Sequence, residues 1–600
     1  MRGRYVSALP RISPEFTGTY EPERMSDHHH AHPHAHPHPH THAHPHTHGT
    51  GSDPAELPPS ADLSVPDTEL SPAELSRRSM LRGAGLLGAG LAAGNVLATP
   101  QAAAKAETGS AYRGGLQWLA GDHHIHTQYS NDGKYRVIDQ VRHGNAYGLD
   151  WMVITDHGNV THAKIGVEKV NPDIVAARES VRGTLVFQGL EWNIPAAEHG
   201  TVFVHPGRNE VDVLKEFENS YDGKVADAED STPQNEALAI AGVNFLSDAV
   251  KSKRLQDALF LANHPSRKGI DAPHEIRGWR DAAPHIAVGM EGAPGHQAAG
   301  LPEPHGMARA RGLYDNSPGA GSFPGYPLES YRTFGGFDWM TSTVGGLWDS
   351  LLAEGKPWWI TANSDSHHVI GDTAKRGAPD EHYEQHGKHA DPVYSGGPDF
   401  TEGDFWPGYY SRTHVGARGF DYAAVMEGIR AGRVWVDHGG LIAGLDVSLR
   451  TAGRGPQRAV PLGGMLHARR GTPVELAVTI RLADTPNWAQ FVPKLARVDV
   501  IRGSVTGPVD DADAFTTPDT KVARSFEIEK TSGTVTLTYS LGRLDQPCYV
   551  RLRGTDGKRS APGLLGEHID PHGPKMDVMA DSDPWEDLWF YSNPLWALPL

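Results

Sequence analysis

Histidine and carboxylate side chains follow several short apolar segments of this sequence. The first segment ends in the hexapeptide DHHIHT at residues 122–127. In an extended strand alternate side chains share a face, so His124 and His126 point together while His123 points to the other side. Asp122 shares the face of the pair, where it could accept a hydrogen bond from an imidazole. Imidazoles and carboxylates are ligands for divalent cations, although one such pair is a weak sign of a metal site.

The same arrangement recurs at five further places. Taken singly, each could be a capping aspartate or a hydrogen-bonded core histidine. The segments are ITDHG at 154–158, GLE at 189–191, EHG at 198–200, LANHP at 261–265 and NSDSH at 363–367. Six such segments at strand boundaries of one region are hard to reach by chance. Barrel enzymes build their sites from the carboxyl ends of strands, so the pattern predicts a metal centre there.

Short apolar runs alternate with amphipathic segments between residues 115 and 440. The predicted strands are 116–125, 150–155, 184–191, 201–205, 258–263, 286–291 and 358–362. The predicted helices include 135–147, 233–250 and 342–354. Repeated strand-then-helix order predicts an α/β barrel or sheet. The Gly- and Pro-rich segments 292–340 and 369–410 are predicted to be long loops over one face.

The pattern changes after about residue 441. Apolar residues occupy every second position from 474 to 480 and again from 535 to 539. This alternation is typical of half-buried antiparallel strands and predicts an all-β, sandwich-like domain over 441–600. The preceding α/β domain is predicted to cover 107–440.

The region 115–440 resembles the PHP (polymerase and histidinol phosphatase) superfamily of metal-dependent phosphoesterases. Its four motifs stand in order as DHHIHT at 122–127, TDH at 155–157, NHP at 263–265 and SDSH at 364–367. The resemblance implies an α/β fold, a distorted (β/α)7 barrel, followed here by the β domain. It also implies two or three divalent metal ions, commonly Mn, Zn or Fe.

The resemblance further implies roles for particular residues. The implied metal ligands are His124, His126, Asp132, His157, Glu191, His199, His264, Asp365 and His367. His205, at the far end of the same predicted strand, is the alternative to His199. Glu191 takes the position of the family's bridging carboxylate and is a predicted catalytic residue. Arg267 and Arg412 are predicted to grip phosphate oxygens, although each could instead be a surface or ion-paired side chain.

This ligand set predicts an enzyme, a metal-dependent phosphoric ester hydrolase acting on a small phosphorylated molecule. A hydroxide shared between two such ions is a nucleophile at neutral pH. The same nucleophile would cleave amides or esters, so an amidohydrolase-like enzyme is one alternative. Another is a surface binding protein with an inactive barrel, although the complete ligand set counts against it.

The first hundred residues predict export. Residues 1–75, rich in Pro and His, are predicted to be disordered. A paired Arg77-Arg78, an uncharged stretch at 83–97 and an Ala-rich site at 102–104 predict a twin-arginine signal over 76–106. The uncharged stretch is short for a bilayer, so a membrane anchor is not expected. The predicted location is secreted or periplasmic, in the cell envelope, reached through the twin-arginine export machinery.

The histidine tract at 28–48 lies before this signal and would leave with it. It could bind metal ions loosely, or it could be a low-complexity tail, or lie upstream of a true start at Met25.

The composition of the chain excludes some classes of partner and of metal ligand. The formal charge of −18 argues against a nucleic-acid partner, which would call for a basic surface. The single cysteine, Cys548, excludes an intramolecular disulfide and a cysteine-based zinc site. Metal ligands are therefore expected to be histidines and carboxylates.

Overall fold

The computed structural model describes residues 115–314, 316–378, 381–453, 457–517 and 519–600. These residues belong to one compact unit. The predicted disordered tail, the histidine tract and the predicted export signal lie outside the described residues. Across the described residues, every helix is too short or too polar to cross a membrane.

Seven strands of the α/β region form the main sheet in their order along the chain. The strands of this region are β1 (Gln117–Asp122), β2 (Trp151–Ile154), β3 (Leu185–Asn193), β4 (His199–Val204), β5 (Ala258–Ala262), β6 (Ala287–Ala293), the short pair β7 (Thr333–Phe334) and β8 (Phe337–Asp338), and β9 (Trp359–Ala362). Strands β2 and β5 are wholly apolar and buried, as expected for strands covered on both faces. All seven predicted strands are confirmed, and each end lies within three residues of its predicted position.

One strand of the seven runs against the others. β1, β2 and β3 are parallel, β4 is antiparallel to β3 and β5, and β5, β6 and β9 are parallel again. The start of β4 therefore lies at the edge where the other strands end. This reversal decides which end of β4 can contribute to a site there.

Helices connect these strands. They are α1 (Val137–Ala146), α2 (Val167–Ser180), α3 (Glu210–Tyr221), α4 (Gly223–Ala226), α5 (Pro233–Lys251), α6 (Pro273–Ala282), α7 (Trp339–Ser342), α8 (Leu347–Ala353), α9 (Glu381–His386) and α10 (Tyr422–Arg430). Helix α5 begins where the Thr232 side chain accepts a hydrogen bond from the Asn235 amide. The predicted helix at 342–354 is wrong in its first turn, because Gly345 adopts a φ of 76° and separates α7 from α8.

The two ends of this strand order approach each other at the carboxyl edge. An isolated parallel bridge joins Ile125, after β1, to Ser366, after β9. The Thr413 hydroxyl donates to the Ala362 carbonyl at 2.9 Å. Within the described residues, however, the strand ladder ends at β9, so the predicted closed barrel is not confirmed. The sheet curls, and the structure is mixed α/β.

The sheet continues into the C-terminal region. The later strands are β10 (Ala374–Lys375), β11 (Val393–Tyr394), β12 (Ser411–Ala417), β13 (Val434–His438), β14 (Ile442–Thr451), β15 (Ala459–Pro461), β16 (Met465–Ala468), β17 (Pro473–Leu482), β18 (Arg497–Ser504), β19 (Lys521–Glu527), β20 (Thr534–Arg543), β21 (Cys548–Thr555), β22 (Trp589–Ser592) and β23 (Leu595–Pro599). β12 pairs with β1, and β13 links β12 to β22. The two halves of the chain therefore share one sheet.

The predicted β-rich C-terminal region is confirmed. β15, β14, β17 and β20 form a separate antiparallel sheet. Alternate side chains of β17, from Val474 to Ile480, are buried on one face, as the alternation predicts. They share a core with side chains of β18, β21 and β22, so two sheet layers pack face to face.

A buried ion pair joins the two regions. Arg551 on β21 donates from Nε and Nη2 to the Asp349 carboxylate on α8, at 2.8 and 2.7 Å. Both side chains are fully buried, and the guanidinium lies 4.5 Å from the Trp348 ring centroid. The Tyr549 hydroxyl donates to the same carboxylate at 3.1 Å. Removing the arginine would leave a buried carboxylate without its counter-charge.

We expect Arg551→Met to lower the free energy of unfolding by about 3–5 kcal/mol, because Asp349 stays buried and unpaired. Urea denaturation followed by tryptophan fluorescence measures the loss. Lys251→Met, which removes an exposed pair with Asp248, is the control and should change stability by less than about 0.5 kcal/mol. The double variant Arg551→Met, Asp349→Leu should recover part of this loss, because it also removes the unpaired carboxylate. An equal loss of stability in the single and the double variant would contradict this explanation.

Candidate metal centre

The structure brings together all nine side chains predicted as metal ligands. They lie at the carboxyl edge of the sheet, in the segments that follow β1, β2, β5 and β9, at the end of β3 and at the start of β4. Their ligand atoms form groups within 4.8 Å of one another. These groups are His124, His126, Glu191 and Asp365; His157, Glu191 and His199; Glu198, His199 and His264; and His126, Asp132, His157 and His367.

Glu191 lies at the centre of these groups. Its two carboxylate oxygens are between 3.0 and 3.3 Å from ring nitrogens of five histidines. These histidines are His124, His126, His157, His199 and His264. Because Oε1 and Oε2 face different histidines, the carboxylate is placed to bridge two cations.

The reversed direction of β4 separates His199 from its alternative. His199, the first residue of β4, places Nδ1 3.1 Å from Glu191 Oε1. His205 follows the other end of the strand, where its Nδ1 forms a 2.8 Å hydrogen bond with the Pro206 carbonyl. The geometry therefore favours His199 as the side chain available to this centre.

Several atoms of the cluster form no hydrogen bond with any described residue, although they are buried. They are Nε2 of His126, Nδ1 of His157, Nδ1 of His264 and Oδ1 of Asp365. Asp365 Oδ1 nevertheless lies 3.1 and 3.2 Å from Nε2 of His124 and His126. Buried polar atoms normally have partners. Lone pairs that converge in this way suit divalent cations, so these residues fit two or three metal ions.

The cluster shifts the pKa of its own members. Burial alone would raise the pKa of Glu191, but His124 and His157 outweigh it and hold that pKa well below its usual value. Burial lowers the pKa of His199 to about 4, although Glu191 opposes the shift. Burial, with the charge of His126, likewise lowers the pKa of His367 to about 4. Burial would also lower the pKa of His124, His126 and His157, but the carboxylates beside them outweigh it and raise these values, that of His157 to about 10. Cations that bind these imidazoles would therefore displace protons.

Glu291 on β6 also belongs to the centre, although the sequence pattern does not single it out. Its Oε1 lies 2.8 Å from His124 Nδ1, and its Oε2 accepts the His264 amide at 2.8 Å. A carboxylate at Nδ1 keeps the proton there and leaves Nε2 as the ligand atom. Glu291 ends a predicted strand, as Glu191 does, and that position is the signal that could have identified it.

The geometry of the turns around the centre depends on two buried aspartates. Asp122 accepts the backbone amides of His124 and Ser364, both at 3.0 Å. The expectation that it holds an imidazole is wrong, because its carboxylate faces these amides. Asp156 accepts the amide of Thr127 at 2.6 Å. Asp122 thus links the first motif to the fourth, and Asp156 links the second motif to the first.

The two predicted phosphate-binding arginines have different positions. Arg267 lines the cavity over the centre and donates from Nη2 to Glu198 at 2.9 Å. Arg412 does not reach the cavity, because its guanidinium donates to the carbonyls of Gly408 and Tyr147 at 2.9 and 3.0 Å. The structure therefore gives no support to Arg412 as a phosphate-binding residue.

The cavity has a volume of about 440 Å³ and opens onto the ligands. Besides the ligands and Arg267, its walls include Lys224, Met307, Leu313 and Glu402. A space of this size holds a small molecule. The side chains that line it include both cations and apolar groups.

The chain is similar to a known family and to a solved structure. The PHP domain family matches residues 122–222, a segment that carries the first two motifs, Glu191 and His199. The chain is similar to a solved two-domain protein containing a predicted PHP-like metal-dependent phosphoesterase from Bacteroides vulgatus ATCC 8482. That similarity has 14% identity and a TM-score of 0.28, and covers 78% of this chain and 96% of that one. Curated proteins give no match.

The chain is therefore a mixed α/β protein with a large β-rich C-terminal region, and its residues 122–222 match the PHP domain family.

We expect Glu291→Gln to weaken binding of divalent metal ions by about 10- to 100-fold, because an amide holds the proton of His124 less firmly than a carboxylate. Equilibrium dialysis with elemental analysis measures the affinity. Glu179→Gln, on the exposed side of α2, is the matched control. Wild-type affinity in Glu291→Gln would contradict the role given to this carboxylate.

Proposed function

We propose that this protein is a metal-dependent hydrolase and, more specifically, a phosphoesterase. The observation that carries the proposal is the Glu191 carboxylate surrounded by five imidazoles at the carboxyl edge of the sheet. The match of residues 122–222 to the PHP domain supports the same reading.

The nine predicted ligands would hold two or three divalent ions, Mn, Zn or Fe. When bound, such ions supply a water-derived nucleophile at neutral pH and stabilise negative charge on the reacting oxygens. Glu191 would bridge two of them, and Glu291 would keep the Nε2 lone pair of His124 available.

Arg267 supports a phosphorylated substrate. It lines the cavity, and its buried Nε has no hydrogen-bond partner among the described residues. Burial would lower the pKa of Arg267, but Glu198 outweighs it, and the guanidinium stays charged. A planar cation with a spare N–H beside the metal ligands is suited to a phosphate oxygen. Lys224, exposed at the cavity wall, adds positive charge.

We also propose that the α/β region is a closed barrel, that the protein is exported, and that its substrate is a small molecule. The bridge between Ile125 and Ser366 supports a distorted seven-stranded barrel in which β9 closes onto β1. The paired arginines at 77 and 78 support export by the twin-arginine machinery to the periplasm or the exterior. The acidic charge balance supports a small-molecule substrate over a nucleic acid.

We expect the purified protein to contain two or three divalent ions per chain and to hydrolyse nitrophenyl phosphate mono- or diesters. His126→Ala should lose bound metal and activity, because His126 contributes to two of the ligand groups. Elemental analysis and release of nitrophenol measure the two properties. His205→Ala, at the opposite end of β4, is the control. Less than one ion per wild-type chain, or full activity in His126→Ala, would overturn the proposal.

We expect Arg267→Ala to reduce kcat/KM for a phosphate ester by roughly 10- to 100-fold, the range for loss of a charged hydrogen bond. Arg267→Lys should reduce kcat/KM less, since lysine keeps the positive charge although it lacks the planar guanidinium. Steady-state kinetics measure both, with Arg182→Ala on an exposed turn as the control. The same assays with a nitrophenyl carboxylic ester separate the alternatives: faster cleavage of that ester, unaffected by Arg267→Ala, would favour an amidohydrolase-like enzyme.

A further inference from the structure

His296 lies at the metal centre although it belongs to none of the four motifs. It follows β6 in the Gly-rich loop and is 14% exposed, at the wall of the cavity. Its Nε2 is 2.9 Å from Asp365 Oδ2, and its Nδ1 is 2.5 Å from Asp404 Oδ1. With Asp365 and His367 it forms a fifth group of ligand atoms within 4.8 Å.

The loop is built to hold His296 in this place. A Cβ on Gly295 would lie 2.1 Å from the Asp365 Cβ and 2.3 Å from the Ser364 carbonyl, so only glycine permits the approach. His296 adopts a φ of 55° and Asp365 a φ of 48°, both in the left-handed region that non-glycine residues rarely occupy. Unusual backbone conformations at two facing residues are typical of functional sites.

Asp404 ties this loop to the fourth motif. Its Oδ2 accepts the backbone amides of His367 and His368 at 2.6 and 2.7 Å, while its Oδ1 faces His296. The side chain is buried, so these contacts are shielded from solvent. One carboxylate therefore positions both the imidazole of His296 and the segment that carries His367.

The arrangement repeats that of His124. There, Nδ1 faces the Glu291 carboxylate at 2.8 Å and Nε2 faces Asp365 Oδ1 at 3.1 Å. In His296, Nδ1 faces the Asp404 carboxylate and Nε2 faces Asp365 Oδ2. Each oxygen of Asp365 thus meets one imidazole whose outer nitrogen is held by a buried carboxylate. That combination orients a neutral imidazole as a metal ligand.

We infer that His296 is a tenth metal ligand, which shares a divalent cation with Asp365 and His367, and that Asp404 is its positioning residue. The inference rests on the proposed metal centre and extends it into the loop after β6. The cation would be of the borderline class that nitrogen and oxygen ligands hold, Zn, Mn or Fe. Asp365 would then contact two ions, one through each oxygen.

Metal titration of the full-length chain tests this inference. Elemental analysis at buffered free Zn²⁺ or Mn²⁺ gives the number of ions and the affinity of each site. His296→Ala should lose one ion per chain or bind it at least tenfold more weakly, with the remaining ions unchanged. Asp404→Asn should weaken the same ion by about 10- to 100-fold. His305→Ala, in the same loop and outside the cavity walls, is the matched control.

The outcomes are distinguishable. His296→Gln, with thermal unfolding of each variant, separates loss of an ion from loss of fold; an ion lost from a folded His296→Gln supports the inference. Wild-type stoichiometry and affinity in His296→Ala would overturn it, and reduced hydrolysis with full metal content would make His296 a substrate contact instead. A wild-type protein without bound metal would overturn the proposed function together with this inference.

Discussion

Glu191 is an anionic side chain buried among five imidazoles, and burying a charge is costly unless partners compensate it. The surrounding architecture provides that compensation. The five imidazoles come from the boundaries of four strands, β1, β2, β4 and β5, so the carboxylate can be surrounded only if those strand ends meet at one edge. The curled sheet, the bridge between Ile125 and Ser366, and the reversed β4 all serve this requirement. With cations bound, the converging lone pairs would find the partners that the protein itself does not provide.

The C-terminal region takes part in holding this edge in place. Arg311, in the loop that follows His296, donates to Asp577 and Asp587 at 3.0 and 2.9 Å, and all three side chains are fully buried. The ion pair of Asp349 with Arg551 anchors α8 in the same way. The β-rich half therefore stabilises the loops over the centre. The sheet continues from β13 to β22, so the two halves are also joined by strand pairing.

The strands were predictable because the spacing of apolar residues along the sequence indicates which side chains are buried. The seven strands, the face of β17 and the ligands at strand ends all follow from side chains that alternate or terminate an apolar run. Loops carry no such period, so Asp404 and His296 give no signal, and contacts between residues more than a hundred positions apart cannot be read from spacing. The prediction for Arg412 failed for a related reason: the sequence does not say which carbonyl groups the folded chain brings to its guanidinium. The break between α7 and α8 follows from a glycine conformation, which composition permits without requiring.

The single cysteine acquires a further meaning beside the ligand set. The ligands lie between His124 and His367, in segments far apart along the chain, and no disulfide within the chain can connect them. Ions that bind only the folded chain stabilise it in proportion to the logarithm of their free concentration. Bound ions would thus act as a reversible cross-link between these segments, and the free metal concentration around the protein would set how strongly they stabilise the fold.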